Sequence, residues 1–406
     1  MKLQKGIVHF VICLTSLYVW DLMFSAFKII PGNVYSALFL ISLFYGIYCI
    51  ANYINDFYFE NLYFKCLFSL LIAYHISIFI RGIPTNYNAV KTDLQVGYLF
   101  WPLVIPLFVF FEKKIDILAQ LLKMMYYLCI AFFFILLIKP GLIINRVTAE
   151  NFIHPFGFGA GFLLMNTKYL SKWKALICLL VCMVALLSFT YLARRNAIVT
   201  FSGFLFTSVF LYFKETSAAR LVKFFPLGVL FLLLAVAFTG KIPDSLTSNL
   251  AERALDDTRT GVFDTFFKGM QGHWVFGKGM NGTYYSPIEE TVLDDGATFG
   301  AVENRDIIET GYLQIMLNGG LVELVLYLLV LIPAALLGIF NSSNAFTRSC
   351  GFLILLWLVD MAVFGVPTLY LQYIFIWISV GICYKKSFRQ MPEEAIYTAF
   401  ENYKLA

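Results

Sequence analysis

Apolar runs of about 20 residues recur along almost the whole chain, and this feature limits the fold more than any other. The run "ALICLLVCMVALLSFTYL" at 175–192 is one of them. As a helix, such a run crosses the roughly 30 Å hydrocarbon core of a bilayer. Strands of a membrane β-barrel would instead alternate polar and apolar residues over segments of about ten residues. The sequence therefore predicts an all-α polytopic membrane protein whose solvent is the lipid bilayer.

The composition agrees with a membrane protein. Of the 406 residues, 60% are hydrophobic and 14% are charged, whereas soluble domains have about 45–50% and about 25%. The eight cysteines lie in or beside apolar runs, which favours small buried side chains over a disulfide framework or a zinc site. The start of the chain is basic, then apolar to Lys28 without a small-residue cleavage site, and predicts an uncleaved first span. No nucleic-acid partner is expected.

The hydrophobic pattern predicts about twelve transmembrane helices. They cover residues 7–28, 34–52, 62–80, 94–111, 118–138, 152–167, 175–192, 196–213, 224–239, 311–339, 350–366 and 367–384. The chain is thereby divided into a first membrane part at 1–239, a loop at 240–310, a second membrane part at 311–384 and a tail at 385–406. In the sixth span, the glycines of "FGFGAGFLL" predict close helix contacts.

Lysine and arginine in the short loops set the expected orientation, since cytoplasmic loops are enriched in both. If the N-terminus is inside, the inside segments carry Lys2, Lys5, Lys113, Lys114, Lys168, Lys172, Lys174, Lys214, Arg220, Lys223, Arg348, Lys385, Lys386 and Arg389. The outside short loops carry only Lys28, Arg81, Lys91, Lys139, Arg146, Arg194 and Arg195. Both termini are therefore predicted to be cytoplasmic and the long loop extracytoplasmic.

Two adjacent arginines in "TYLARRNAIV" oppose this trend. Arg194 and Arg195 occupy a predicted outside connection of only a few residues between two apolar runs. Charge so close to hydrocarbon is costly and is often functional. The alternative is that both side chains extend to the lipid headgroups as interface anchors. The arginine fork matches phosphate oxygens in a bidentate way, so a phosphate-binding role is the sharper hypothesis.

The loop at 240–310 carries signals of ordered structure. "DDTRTGVFDTFFKGM", which contains Arg259, predicts an amphipathic helix with apolar residues at Val262, Phe263, Phe266 and Phe267. In "GHWVFGKGMNGTYY", Gly277 and Gly279 permit close backbone approach, although a lone Gly-x-Gly is a weak phosphate signal. "ENRDIIETGYLQIML" predicts a helix into the tenth span, with Arg305 and Glu309 on one face. An ordinary ion pair is the plainer interpretation of those two residues.

Four stretches resemble the O-antigen polymerase and O-antigen ligase superfamily of bacterial envelope glycosyltransferases. In chain order they are "FIHPFGFGAGFLL", "ARRNAIVTF", "TRTGVFDTFFKGMQGHWVFGKGM" and "ENRDIIETGYLQIMLNGGLVELVLYLLVL". Together they cover roughly residues 150–340, and their order is more specific than any one of them. The second stretch places Arg195 on the arginine of the family's span start. Glu309-Thr310 stands where ligases of this family usually have a His-Asn-like pair, which favours the polymerase branch.

The resemblance implies a GT-C-like membrane glycosyltransferase of the bacterial inner membrane, active on the extracytoplasmic face. It would transfer O-antigen or capsule repeat units from a polyprenyl-pyrophosphate carrier to a lipid-linked acceptor, without a cofactor or a metal. It also leaves room for a chain-length regulator protein as a partner. In this scheme Arg195 binds the pyrophosphate, and Glu309 is the first choice of base and Asp306 the second. Arg305 is the third candidate catalytic residue and approaches the pyrophosphate from the loop, and the remaining candidate substrate contacts are Arg81, Arg194, Arg259, Asp306, Gly277 and Gly279.

Two other functions remain open from the sequence. One is an O-antigen ligase-type transferase that moves glycan onto another lipid or onto protein. The other is a transporter or flippase of lipid-linked sugars, which would place charges along a path through the spans and often shows repeated halves. The predicted spans hold few deep charges, namely Asp21, Glu323 and Asp360, and no internal repeat is visible.

Overall fold

The structure, a computed structural model, describes most of the chain. The described residues are 31–53, 60–84, 86–87, 89–90, 93, 99–110, 115–143, 146–192, 194–215, 258–285, 304–308, 310–363, 365–368 and 371–405. The predicted spans at 7–28 and 224–239 lie outside them.

The described residues form helices with one minimal strand pair. In chain order the helices are α1 (Gly32–Tyr53), α2 (Leu62–Arg81), α3 (Trp101–Val104), α4 (Ile115–Ile138), α5 (Arg146–Met165), α6 (Lys172–Tyr191), α7 (Arg195–Glu215), α8 (Thr258–Gly269), α9 (Gly311–Phe340), α10 (Ala345–Val363), α11 (Leu371–Tyr384), α12 (Lys386–Arg389) and α13 (Glu393–Asn402). Short 3-10 helices cover Ile105–Phe110, Pro140–Ile143 and Thr167–Tyr169. Strands β1 (Tyr284–Tyr285) and β2 (Asn304–Arg305) pair antiparallel.

Five of the described helices are long and apolar enough to cross a membrane. Their candidate spans are Leu62–Arg81, Ile115–Leu136, Lys172–Tyr191, Gly311–Phe340 and Ala345–Ala362. Shorter apolar helices cover Trp101–Phe110, Phe156–Met165, Ala197–Leu211 and Leu371–Tyr384. This is the architecture of an all-α membrane protein, and every predicted span within the described residues has a helix at its place.

The described long helices run between two ends of the bundle. At the first end, Asn344 donates hydrogen bonds to the Phe388 and Met391 carbonyls, and Glu393 contacts Tyr169. We call it the tail end. The second end holds Arg81, the start of α9 and the segment 274–282, and we call it the loop end. Helices α2 and α9 are antiparallel, since the Tyr63 hydroxyl bonds the Leu329 carbonyl and the Tyr74 hydroxyl bonds the Gly319 carbonyl.

The fourth predicted span differs from a regular helix. Its described part begins as α3 and continues as a 3-10 helix at Ile105–Phe110. Pro102 and Pro106 explain the difference, because proline lacks the N–H that an α-helix needs and disfavours α geometry at the residue before it. One consequence is that the Leu103 carbonyl cannot accept a 3-10 bond from residue 106.

The glycines of α5 permit the close helix contacts that the sequence predicts. A Cβ added at Gly157 would meet the Phe201 ring of α7, and one added at Gly161 would meet the Phe204 ring. The cysteine prediction is confirmed for five of the described cysteines, Cys129, Cys178, Cys182, Cys350 and Cys383, which are buried and free. Cys66 is free but exposed.

Candidate functional site

Helix α9 is interrupted at Gly320. This residue has φ 68° and ψ −165°, which is a conformation that only glycine adopts readily. All 30 residues of α9 would extend about 45 Å as one helix, well beyond the hydrocarbon core. The part from Leu321 to Phe340 is about 30 Å long, which matches the core. The break therefore separates a membrane-length helix from a first part at the loop end.

The segment 274–279 replaces the helical hydrogen bonds that the break removes. An unbroken helix would pair the Leu317 carbonyl with the Leu321 N–H, four residues later. Instead, the Lys278 N–H donates to the Leu317 carbonyl at 2.8 Å, and the Leu321 N–H donates to the Trp274 carbonyl at 2.8 Å. The buried backbone at the break is thus satisfied by a loop that is distant in sequence.

The next residue along each segment of the chain shows the same exchange. The Gly279 N–H donates to the Asn318 carbonyl at 2.9 Å, and the Val322 N–H donates to the Val275 carbonyl at 3.2 Å. Gly277 has φ 66°, and a Cβ there would overlap the Asn318 carbonyl. The predicted close backbone approach of the Gly-x-Gly is confirmed, and the partner observed is the backbone of α9.

Arg81 holds this segment from the end of α2. Its Nη1 donates to the Phe276 carbonyl at 2.7 Å and to the Gly277 carbonyl at 3.2 Å. A Cβ at Gly279 would lie 3.2 Å from the Arg81 backbone, so the two chains are in close contact. The contacts seen for Arg81 therefore fix the loop at the helix break.

Replacement of Arg81 by alanine is expected to loosen the docked segment. Loss of two hydrogen bonds from a charged donor would raise amide exchange at Gly277 and Gly279 about tenfold or more. Hydrogen-exchange mass spectrometry of the detergent-solubilised protein measures this. Arg348→Ala, at the tail end, is the matched control and should leave exchange at these amides unchanged. Equal exchange in both variants would contradict the role of Arg81.

A small second core attaches α8 to the loop end. Phe266 of α8 and Met270, which directly follows the helix, are buried against Tyr284, Ile308 and Leu317. Phe267 is partly exposed and stacks on Trp274 with 5.7 Å between the ring centroids. The predicted amphipathic helix is confirmed as α8. It covers the first part of α9 with an ordered layer.

A polar cluster lies beside this layer. We use this name for Asp93, Asn281, Asp306, Gln314 and Asn318. The Asn281 amide donates to Asp93 Oδ2 at 2.9 Å and to the Gly82 carbonyl at 2.9 Å. Gln314 accepts the Ile308 N–H at 2.8 Å and donates to the Asp306 carbonyl at 3.1 Å. Asp93 is only 6% exposed, although its place is outside the candidate spans.

The surroundings shift the pKa values of Asp93, in the polar cluster, and of Lys278, in the docked segment. Burial raises the pKa of Asp93, the hydrogen bond from Asn281 opposes this, and the charge of Asp306 adds to it. Asp306 is therefore near enough to act on Asp93 electrostatically. Burial lowers the pKa of Lys278, whose ammonium donates to the Thr283 carbonyl at 2.6 Å. A buried carboxyl whose pKa is raised by burial and by the charge of a second carboxylate is typical of acid–base sites.

One further ionisable pair is buried below the break. His75 of α2 and Glu323 of α9 are each 2% exposed, with 3.2 Å between Nε2 and Oε1. The Nδ1 of His75 lies 3.0 Å from the Leu103 carbonyl, the same carbonyl that Pro106 leaves without a 3-10 donor. Intramembrane ionisable residues are functional-site candidates by default.

The predicted arginines lie at the loop end but on different elements. Arg194 precedes α7 and donates its N–H to the Phe189 carbonyl at 2.9 Å, Arg195 begins α7, and Arg259 lies in the first turn of α8. Helix α10 links α7 to α9, since Asp360 accepts a bond from Thr200 and the Leu358 carbonyl accepts one from Tyr312. Among the predicted site residues, Arg81, Gly277 and Gly279 are in direct contact with one another's backbone or side chain.

The predicted helix across Arg305 and Glu309 is wrong in its first part. Arg305 lies in β2 opposite Tyr284, and α9 begins only at Gly311. Other hydrogen bonds compete with those of a helix. The backbone of 304–305 pairs with β1, and the Ile308 N–H donates to the Gln314 side chain. Arg305 and Asp306 are half-buried at the loop end. Glu309 lies outside the described residues.

Sequence reasoning missed several residues that the structure places at the site. Asp93, Asn281, Gln314 and His75 gave no motif, since their partners are distant in the chain. Glu323 was visible as a lone charge in an apolar run, four residues after Gly319, and that position was the available signal. Among the described residues, no group of three His, Cys, Asp or Glu side chains could hold a metal ion.

The fold and the site define an all-α protein with several membrane-length helices and a polar site at one end of its bundle. No family model, curated protein or solved structure matches the chain. The resemblance to the O-antigen polymerase and ligase superfamily therefore stays a prediction from four short stretches of sequence.

Proposed function

We propose that the protein is a polysaccharide repeat-unit polymerase of the bacterial inner membrane. It would transfer O-antigen or capsule glycan from a polyprenyl-pyrophosphate carrier to a lipid-linked acceptor. In this proposal the tail end is cytoplasmic and the loop end is the extracytoplasmic active face. The observation that carries it is the combination of arginines with the polar cluster around the buried Asp93 at one end of a largely apolar bundle.

Each group has a chemical task in this reaction. The leaving group is the polyprenyl pyrophosphate, so negative charge develops on phosphate oxygens in the transition state. Arg195, with Arg194 beside it, would stabilise this charge in the transition state more strongly than the smaller charge of the ground state. Arg259 and Arg305 would approach the pyrophosphate from the loop.

A carboxylate would accept the proton of the acceptor hydroxyl. Glu309 and Asp306 are the candidates that the sequence provides, and Asp93 is the candidate that the structure adds. Burial and the charge of Asp306 raise the pKa of the Asp93 carboxyl against the opposing hydrogen bond from Asn281, and a raised pKa favours uptake of a proton. A base must be ionised to act, so activity should rise with pH through the pKa of this group.

Deletion of the gene and complementation test the proposal. The deletion strain should make glycan with a single repeat unit, and wild type should restore long chains. Arg195→Ala should reduce long-chain glycan about 10²-fold or more, as is typical for loss of one preplaced charge donor. Arg195→Lys should restore it only partly, because a lysine keeps the charge but loses the bidentate fork. Glycan length on a gel, at matched membrane levels, is the measurement.

Arg348→Ala is the matched control, since Arg348 lies at the tail end, where its side chain donates a hydrogen bond to the Ser343 carbonyl. It should behave as wild type. Normal chain length in well-expressed Arg195→Ala would contradict the phosphate contact and leave Arg195 as an interface anchor. Full-length glycan that stays on its lipid carrier in the deletion strain would favour the ligase-type transferase instead.

A transporter or flippase of lipid-linked sugars is the second candidate, and one observation favours it. Interrupted helices with buried charges inside the bundle are typical of secondary transporters, and α9 has its break beside the His75–Glu323 pair. A deletion strain that accumulates lipid-linked repeat units on the cytoplasmic side would support this function over polymerisation.

A further inference from the structure

The His75–Glu323 pair has a hydrogen-bond arrangement that defines where protons can be. A carbonyl oxygen only accepts, so the 3.0 Å contact to the Leu103 carbonyl requires a proton on His75 Nδ1. The opposite nitrogen, Nε2, lies 3.2 Å from Glu323 Oε1, within ion-pair distance but outside hydrogen-bond geometry. Without a second proton, the pair would place a lone pair against a carboxylate in a buried site.

One proton resolves this conflict. If the proton is on Nε2, the pair is an imidazolium and a carboxylate, and if it is on Oε1, both groups are neutral. The net charge is zero in either arrangement, whereas removal or addition of a proton leaves one buried net charge, which is costly. The carboxylate form gains from its location in the first turn of the helix that starts after Gly320, where the helix dipole favours negative charge.

Glu323 is also open toward the helix break. Its Oε2 is buried and has no hydrogen-bond partner among the described residues. It lies so close to Gly319 that a Cβ there would overlap it. Glycine at this position thus leaves space for the second carboxylate oxygen directly under the break.

Tyr74 lies between this site and the surface of the loop end. Its hydroxyl is 2.7 Å from the Gly319 carbonyl and 3.2 Å from the Phe276 carbonyl, and the second contact is exposed. A hydroxyl has one proton to donate, so it can serve only one of these carbonyls at a time. Among the described residues, the Tyr327 ring lies tilted beside His75 with 5.7 Å between the ring centroids, and the Arg81 guanidinium lies 5.9 Å from the Tyr74 ring.

We propose that His75 and Glu323 form a proton-binding site within the bundle, which exchanges its proton with the loop end past Tyr74. The ligand is one proton per chain. The site does not depend on the proposed glycan transfer, because it would equally serve a transferase that must remove a hydroxyl proton or a transporter.

The test uses the full-length protein in lipid nanodiscs with ¹⁵N-labelled histidine. The chain has only four histidines, and His75→Gln assigns the signal of His75. At neutral pH we expect a proton on both ring nitrogens in the wild type. In Glu323→Gln, Nε2 should lose its proton and accept a bond from the new amide. A neutral His75 together with an infrared band of a protonated carboxyl that Glu323→Gln removes would place the same proton on Glu323 and would also support the site.

A neutral His75 without such a band would overturn the proposal. Asp360→Asn is the matched control for the band, since Asp360 is another buried carboxyl of the bundle but bonds Thr200. If Glu323→Gln does not fold, the double variant His75→Gln/Glu323→Gln keeps two neutral polar groups, and it should lack both the ring signal and the band.

A second pair of variants tests the route by which the shared proton exchanges with the loop end. Tyr74→Phe should slow hydrogen–deuterium exchange of the shared proton several-fold. Tyr63→Phe is the control, because Tyr63 is on the same helix and bonds α9 through the Leu329 carbonyl. Equal exchange rates in the two variants would overturn the route past Tyr74.

Discussion

Gly320→Ala is expected to destabilise the protein more than any other single methyl addition at the loop end. At φ 68° and ψ −165° an alanine is strained by about 1–3 kcal/mol. Its Cβ would also overlap the Val275 carbonyl and the Gly277 N–H, which are backbone atoms with little freedom to move. Together these effects predict a loss of about 3 kcal/mol or more in the free energy of unfolding.

Two measurements check this expectation. The apparent Tm of the purified protein should fall, and amide exchange at Gly277 and Gly279 should rise because the docked segment loses its partners on α9. Gly141→Ala is the control, since Gly141 is also at the loop end and a Cβ there meets nothing within 4 Å. Unchanged amide exchange at both glycines in Gly320→Ala would mean that α9 does not need its break.

The membrane helices could be predicted because their signal is local. Twenty apolar residues specify a span by length alone, and the amphipathic pattern of α8 needs only its own residues. The break in α9 could not be predicted in the same way. "NGGLVE" marks a site where a break is tolerated, but the bonds that stabilise it come from residues 274–279, more than 35 residues earlier in the chain.

The polar cluster shows the same limit. Asp93 stands alone in its stretch of sequence, and its partner Asn281 is 188 residues away. Nothing near either residue indicates the contact. Arg305 shows the converse error, because its local sequence favours a helix while the pairing of β2 with Tyr284 decides the structure. Contacts between residues that are distant in the chain leave no periodic pattern in the local sequence. The site can therefore be recognised only in the assembled fold.

Asp93→Asn is expected to remove activity while it preserves stability. The proposed base would lose its ability to accept a proton, which typically costs about 10²–10⁴ in rate. Long-chain glycan should therefore disappear in the complementation assay. The same variant removes the burial cost of a charge and keeps an oxygen that can accept the Asn281 amide.

The pH dependence of stability gives the sharper test. Because burial raises the pKa of Asp93 in the folded state, folding is favoured most below the unfolded pKa of the group and is weakened as pH rises through the folded pKa. At pH above the folded pKa the wild type carries this cost in full and Asp93→Asn does not. The variant should then be at least as stable as wild type in that range, and the difference should vanish on acidification below the unfolded pKa.

A structural role for Asp93 predicts the opposite, a less stable variant at pH above the folded pKa with activity lost in proportion to protein level. Asp116→Asn is the matched control, since Asp116 is exposed in the first turn of α4 at the tail end. It should change neither glycan length nor the pH dependence of stability. A stable, fully active Asp93→Asn would return the role of base to Asp306 or Glu309. Loss of activity without loss of stability would place the chemistry at the polar cluster, because the reaction would then depend on the Asp93 carboxylate and the stability of the fold would not.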